Sequence, residues 1–506
     1  MIRGYREYAE RRLSIIDAGP PQGPAKAGHY VPLVLACVAA LAGLAAWAFY
    51  FQQDLVLSHY DAKAHLVVSR RIIDSLTPGW RQIGAVWLPL PHLLQLLPVQ
   101  VDALYRTGAF GSLLSISCLA ITVWAFARVV LLLTGSLAGT LTSAALLLTN
   151  PNLLYLFATP MTEPLLVAAC ALSVLWTTEW LQTPDVGPMP RRLGAVLFAA
   201  AWTRYEAWPV IAVLLVCVAV ARGWRSWRFA AWPAAAVLLF LANGRLSTGT
   251  WFVTGGFYVR DPMYDRRPLI DAIGVWWGAN ELSGYLSGSV ALIIVMLLVR
   301  RARAERRVTP LIPIALLAAA ALPFYALFEG HPYRIRYMVP VVAGYALLCG
   351  LGVGLVRRRA TMLAIVLAAS ALIESPTWDQ RAPLLEEARW DVPASLNRRA
   401  VRACLARDYR GDLILASMGS LAHLMQELSH DGLDIADFIH EGNGSVWALA
   451  LETGPAPHAG WMLVEEESEG GDVLAQRIRD RAAFTAGMTR VCEGGGVALY
   501  RRLPAI

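Results

Sequence analysis

A chain of 506 residues that is 57% hydrophobic and 16% charged, with a mean hydropathy of +0.48, carries more apolar surface than one soluble core can bury. An ordinary soluble enzyme is excluded, and a polytopic α-helical membrane protein is predicted. The net charge of +7 and pI near 9.1 come from arginines flanking apolar stretches, so they are read as topology signals and not as a nucleic-acid surface.

Residues 1–29 form a tail carrying Arg3, Arg6, Arg11, Arg12 and Lys26, followed by an uncharged run from Tyr30 to Phe51 that is long enough to cross a bilayer. No short apolar core with a small-residue cleavage site precedes it, so it reads as an uncleaved anchor. Further spans are predicted near 107–133, 193–222, 229–244, 284–299, 309–328 and 337–356, with shorter ones near 136–149, 153–178 and 360–374. Thr203-Arg204-Tyr205-Glu206 interrupts the 193–222 run, and two short helices there bring the total to about eleven. Arginines gather in alternate loops, at Arg191 and Arg192, at Arg222, Arg225 and Arg228, at Arg300 to Arg307, and at Arg357 to Arg359. Short cytoplasmic loops collect such residues. An odd number of spans then puts the N-terminus inside and the C-terminus outside.

The soluble mass is therefore external: a loop over 53–106, a second over 245–283, and the segment 375–506, leaving 30–374 as the transmembrane domain. In the first loop, Asp61 to Asp74 places Leu66 and Ile73 on one helical face, which suits a helix lying flat at the interface and stopped by Thr77-Pro78-Gly79. Trp80, Trp87 and the run Leu93 to Val101 suggest a second interfacial helix. The second loop mixes Trp251, Phe252, Phe257 and Tyr258 with Arg260, Asp261, Tyr264 and Asp265, a composition that suits sugar stacking and interfacial anchoring alike. The C-terminal segment reads as a small extracytoplasmic α/β domain. Its strands are expected at Leu413–Ala416, Met462–Val464 and Val497–Leu503, its helices at Ser420–Leu428 and Asp472–Phe484, with a turn at Gly494-Gly495-Gly496. Asn443-Gly444-Ser445 is a formal glycosylation sequon, on a loop that is expected to reach over the site. Cys404 and Cys492 both lie in this segment; an oxidising compartment permits a disulfide between them, and two free thiols remain the alternative.

Four polar clusters fall at the outer ends of spans: Asp61-Ala62-Lys63-Ala64-His65, Thr159 to Pro164, Thr203 to Glu206, and His331 to Tyr337. Ionisable groups at such depth are costly unless paired or hydrated, so their convergence predicts a polar cavity. In this order the clusters resemble the GT-C class of integral-membrane glycosyltransferases, in particular the bacterial branch related to protein O-mannosyltransferases and to the lipid A aminoarabinose transferase. The resemblance covers about 30–374. It implies a bacterial inner-membrane enzyme that moves a sugar from a polyprenyl-phosphate donor to an extracytoplasmic glycan, lipid or protein acceptor. Asp61 matches the acid early in the first external loop that serves catalysis in that class, and Glu163 resembles the acid at the outer start of the fourth span. Arg334, Arg336 and Tyr337 resemble the basic-aromatic cluster that meets the donor phosphate, with Lys63, His65, Arg204 and His331 as further donor-binding candidates. Many relatives with protein acceptors carry two adjacent acids where this chain has Asp61-Ala62.

Chemistry leads to the same place. Nothing on the inner side is large enough to hold a nucleotide sugar, whereas a polyprenyl-phosphate sugar is delivered by the membrane itself. Arginine suits its phosphate through paired, charge-assisted hydrogen bonds. Asp61 is the expected base for an inverting single displacement, provided burial or nearby Glu163 raises a carboxylate pKa that ordinarily lies near ~4. The rival readings are structural: Asp61 as a helix cap, Glu163 as a residue favoured by the helix dipole, Arg204 with Glu206 as an ion pair. No cofactor is required, although Asp61 and Glu163 are also the pair that would hold a divalent ion. A lipid-linked sugar transporter or a non-catalytic assembly subunit are the other classes; transport calls for polar groups along a membrane-crossing path.

Overall fold

The computed structural model describes residues 27–183, 187–253 and 259–504. The basic tail up to Lys26, and Phe257 and Tyr258 of the second loop, lie outside the described residues. Among those described, seven helices are long and apolar enough to cross a membrane: Tyr30–Phe51, Ala109–Thr134, Glu163–Gln182, Trp227–Thr248, Tyr285–Glu305, Thr309–Phe328 and Ile335–Leu355. Leu137–Leu148, Ala207–Arg222 and Ala360–Glu374 are shorter apolar helices. The protein is an integral membrane protein built on a helical bundle, with a small sheet at its C-terminal end.

Val339–Leu355 is the axis of the bundle. It is apolar on every face and almost every residue is buried, as expected of a helix surrounded by others. In a bilayer such packing rests on close approach of small residues. A side chain at Gly350 would collide with Ser143 at 2.6 Å, and one at Gly139 would lie 2.3 Å from the Gly350 carbonyl oxygen. Tyr30–Phe51, by contrast, packs on one side only and leaves Leu33, Val34 and Leu41 exposed to lipid.

Prolines explain where the observed spans differ from the expected ones. The 153–178 run is two helices, Pro151–Leu156 and Glu163–Gln182: Pro160 disfavours helical backbone in the residue before it, and Pro164 sits in the first turn of the second helix, where its missing N–H costs nothing. Thr309–Ala320 is wound as a 3-10 helix, with Pro310 and Pro313 removing backbone donors. The 193–222 run does break, into Arg191–Ala201 and Ala207–Arg222.

The first helix of the first loop is covered by protein and does not present an open apolar face. It spans Tyr60–Arg70 and is capped by His59; Leu66 is buried while Ile73 is 48% exposed. The C-terminal domain lies over it, and Ala64, Leu66, Val67, Val99 and Tyr105 share one apolar core with Leu405, Leu424, Phe438 and Leu499. Arg70 fixes the junction, donating to Asp74 at 2.6 Å, Asp102 at 2.7 Å and Asp434 at 3.0 Å. Asp74 in turn accepts the backbone N–H groups of Ile435 and Ala436, which turns the chain away before Thr77-Pro78-Gly79 is reached. The expected helix over 93–101 is Leu90–Gln95 followed by a 3-10 turn, since Pro91 sits in the first turn, where its missing N–H costs nothing. Trp87 packs against His65 at 4.3 Å with its ring tilted by 50°.

The C-terminal sheet has five strands in the order β2-β1-β3-β5-β4: β1 Ile414–Ala416, β2 Phe438–Ile439, β3 Trp461–Glu465, β4 Met488–Gly494 and β5 Val497–Arg502. β1 pairs in parallel with β2 and β3; β5 runs antiparallel to both β3 and β4. Gly495 and Gly496, both at positive φ, turn β4 into β5. The helix expected over 472–484 ends at Asp480, and β2 and β4 lie where the sequence pattern marks no strand. Asn443 is buried, and it donates to Thr77 Oγ1 at 3.0 Å while accepting His440 N–H at 2.8 Å, so the formal sequon is a structural cap and its loop rests on the first loop.

Cys404 and Cys492 are joined as a disulfide across a separation of 88 residues. Closing a loop of that length stabilises by roughly 4 to 5 kcal/mol in the chain-entropy account. Cys404→Ser is expected to lower the thermal unfolding midpoint of the detergent-solubilised protein, and adding reductant is expected to lower the wild type alike while leaving the variant unmoved.

Candidate active site

Arg336 is the centre of the polar cluster. It lies in the 3-10 turn Ile335–Met338 that opens the axial span, where Pro340 favours a helix start. Its three nitrogens meet three carboxylates: Nη2 donates to Asp61 Oδ2, Nη1 to Glu387 Oε1, and Nε lies 3.4 Å from Glu163 Oε1. Arg204, in the break between two helices, contacts Glu163 at 3.1 Å and Glu206 at 2.7 Å, and donates to Thr162 Oγ1 at 2.9 Å. The Tyr337 ring serves both cations, 5.3 Å from the Arg336 guanidinium and 5.8 Å from that of Arg204. Four carboxylates therefore face two guanidiniums, with Glu163, Glu206, Glu387 and Arg336 buried.

Asp61 occupies the first turn of the Tyr60–Arg70 helix, but His59, not Asp61, is the cap. His59 Nδ1 accepts the Asp61 N–H at 3.1 Å, and Nε2 lies between Glu387 Oε1 at 3.2 Å and Arg336 Nη1 at 3.0 Å. Glu387 also accepts the Ile335 N–H at 3.0 Å, tying the Pro383–Arg389 helix to the start of the axial span.

One helical turn beyond Asp61 stands His65. His92 Nδ1 donates to the Leu88 carbonyl at 3.1 Å, which leaves His92 Nε2 to accept from His65 Nδ1 at 3.1 Å. His65 Nε2 is consequently a buried lone pair without a hydrogen-bond partner, in the field of Asp61, Arg204 and Arg336. Burial first, then His92, holds its pKa well below the ordinary histidine range, so the ring is neutral.

Burial alone would raise the Asp61 carboxyl, but the Arg336 guanidinium outweighs it and holds the pKa below the ordinary aspartate value. This reverses the expected direction: in the resting cluster Asp61 is an ionised ion-pair partner and a poor base. Glu387 follows the same pattern; burial opposes its charge, and Arg336 with His59 brings it down to about 2. Both folded values lie below the unfolded ones, so their stabilisation is present above pH ~4.5 and disappears as pH falls through the folded values, an effect of about 3 kcal/mol for Glu387. Thermal unfolding followed from pH 6 down to pH ~2.5 is expected to show this loss, and Glu387→Gln to flatten it.

Asp61, Glu163, Arg204, Arg336, Tyr337 and His65 thus meet at one site. His331 lies at its edge, with its ring 5.7 Å from Tyr337. Arg334 precedes the same turn and is partly buried. Lys63 does not join them: it points into the C-terminal domain and pairs with Glu427, because a residue two positions from Asp61 projects from another side of the helix. Asp61 and Glu163, the pair considered for a divalent ion, have Arg336 between them, and among the described residues no group of three His, Cys, Asp or Glu is spaced to hold a metal. His59 and Glu387 were missed. Glu387 had a signal, since it falls on the side of a short helix that also buries Leu384 and Ala388.

The crystal structure of ArnT from Cupriavidus metallidurans bound to undecaprenyl phosphate matches with a TM-score of 0.58 at 13% identity, over 92% of this chain and 97% of that one. Apo ArnT from the same organism matches with a TM-score of 0.56 at 12% identity, over 94% and 98%. The chain has the GT-C fold. No family profile matches the sequence, and no curated protein does. At 92% of the chain, the likeness extends beyond residues 30–374 into the C-terminal segment.

Proposed function

We propose that this protein is a glycosyltransferase of a bacterial inner membrane that moves a sugar from a polyprenyl-phosphate donor to an extracytoplasmic acceptor. The observation that carries the reading is the contact between Asp61 and Arg336, a carboxylate and a guanidinium from distant parts of the chain at the head of one span. The similarity to a structure holding undecaprenyl phosphate supports a phosphate on a prenyl chain as the group that Arg336 meets. The disulfide suits an oxidising compartment, which supports placing the C-terminal domain, and with it this site, outside.

In the proposed reaction the acceptor oxygen attacks the anomeric carbon, the bond from that carbon to the phosphate oxygen breaks, and the phosphate leaves with the electron pair. Arg336 stabilises the departing phosphate. To do so it must exchange carboxylates for phosphate oxygens, and this releases Asp61 from its counter-ion. With the largest opposing charge withdrawn, burial weighs more heavily on Asp61 and raises its affinity for the proton of the attacking hydroxyl. His65 Nε2 supplies a hydrogen-bond acceptor for a sugar hydroxyl. Glu163, Arg204 and Tyr337 hold Arg336 in place, and Arg334 and His331 flank the donor at the rim.

Incubating the purified protein with a labelled polyprenyl-phosphate sugar and an acceptor-containing envelope extract tests this. Acceptor-dependent consumption of donor is expected. Donor that is only redistributed across vesicle membranes, without cleavage, would identify a transporter instead.

A further inference from the structure

The far end of the Glu163–Gln182 helix holds a second assembly of charge. Sixteen residues separate Glu163 from Glu179, roughly 24 Å of helix, so Glu179 lies at the membrane face opposite the Asp61–Arg336 cluster. There Glu179 bridges arginines from two neighbouring helices: Arg128 Nη2 donates to Oε1 at 2.6 Å and Arg192 Nη2 to Oε2 at 3.0 Å. Each guanidinium also lies over a tryptophan, Arg128 over Trp124 at 5.9 Å and Arg192 over Trp176 at 5.3 Å, and Arg222 lies over Trp180 at 5.7 Å beside them. An open cleft of about 400 Å³ runs between these groups, with Trp124 and Leu132 as its apolar wall and Gln182 and Thr183 beside the ion triad.

Three features of the cleft select its occupant. The triad carries a net positive charge, and each bridge to Glu179 uses one of the five N–H donors of a guanidinium. Tryptophan and arginine together mark headgroup depth, where basic pockets between helices receive lipid phosphates. The exposed Leu132 extends the cleft into an apolar surface that a soluble anion would not use but an acyl or prenyl chain would.

The geometry points to a binding site for a lipid-borne phosphate in this cleft, with Arg128 and Arg192 meeting the phosphate and Trp124 and Leu132 lying against the chain. Glu179 acts as an internal competitor: it keeps the two guanidiniums together and occupies the face that phosphate approaches. The site stands apart from the proposed transfer reaction and does not depend on it.

Native mass spectrometry of the full-length protein in detergent, offered phosphatidylglycerol, undecaprenyl phosphate, diacylglycerol or inorganic phosphate, tests the assignment. Retention of a phosphate-bearing lipid, with diacylglycerol not retained, is expected. Arg128→Ala with Arg192→Ala should cut retention about tenfold, as loss of two charge-assisted contacts implies. Retention of phosphatidylglycerol that falls with these substitutions identifies bulk phospholipid as the source; a fall confined to undecaprenyl phosphate identifies a carrier lipid. Glu179→Gln should raise retention about tenfold by removing the competing charge, a gain that misfolding cannot imitate. Equal retention of diacylglycerol, equally strong binding of inorganic phosphate, unchanged retention in the double arginine variant, or no gain in Glu179→Gln would each overturn it.

Discussion

Arg336→Ala is expected to cost more than any other single substitution in the molecule, in stability and in turnover together. The guanidinium is the one cation shared by Asp61, Glu163 and Glu387, and its removal leaves buried carboxylates facing each other with Arg204 and His59 as the remaining counter-groups. Breaking a buried pair by deleting one partner costs about 3 to 5 kcal/mol, because the uncompensated charge stays behind. On the proposed mechanism the same change removes the group that meets the leaving phosphate, a loss of about a thousandfold in donor turnover. Arg336→Lys supplies one point charge in place of a planar fork and cannot satisfy three carboxylates at once. Combining Arg336→Ala with Glu387→Gln removes one orphaned acid; part of the stability should return, and none of the turnover. Thermal unfolding in detergent and consumption of labelled donor read the two effects separately, and wild-type turnover in Arg336→Ala would remove the arginine from the reaction.

How much of this was legible in the sequence follows from the range over which each signal acts. The spans and the break at Thr203 to Glu206 rest on local hydropathy and on polar residues within an apolar run, and both are visible in a single window. Asp61, Glu163 and Arg336 stood out because a charge beside a span is expensive wherever it pairs. The rest depends on pairings between positions far apart in the chain. Glu387 reaches Arg336 from 51 residues away and His59 from 328. Lys63 looked like a neighbour of Asp61 in sequence, yet its partner Glu427 is 364 residues distant and on the other side of the helix. The Tyr60–Arg70 helix has an amphipathic pattern that suits a lipid headgroup layer as well as a protein surface; nothing in the pattern distinguishes them until the C-terminal domain is laid on top. β2 has only two residues and β4 alternates weakly, with Arg490 and Glu493 among its side chains, so neither rises above its surroundings.

Asp61→Asn is expected to separate the chemistry from the fold. Asparagine keeps the shape of the side chain and its place in the first turn, while Arg336 retains Glu163 and Glu387, so the protein should still fold, with its unfolding midpoint lowered only by loss of the Asp61–Arg336 pair. Turnover should nevertheless fall by about a hundredfold to ten-thousandfold, the usual range for losing a general base. The pH profile sharpens the test. In the free enzyme Asp61 is held below the ordinary aspartate range by Arg336, so the acidic limb of kcat/KM should lie at low pH. Once donor phosphate has taken the guanidinium, the largest opposition to burial is gone and the acidic limb of kcat, which reports the bound complex, should lie at higher pH. Asp61→Asn should abolish the difference between the two limbs. Coincident limbs in the wild type would mean that donor binding leaves the Asp61–Arg336 pair intact, and the proton of the acceptor would then have to go to another group.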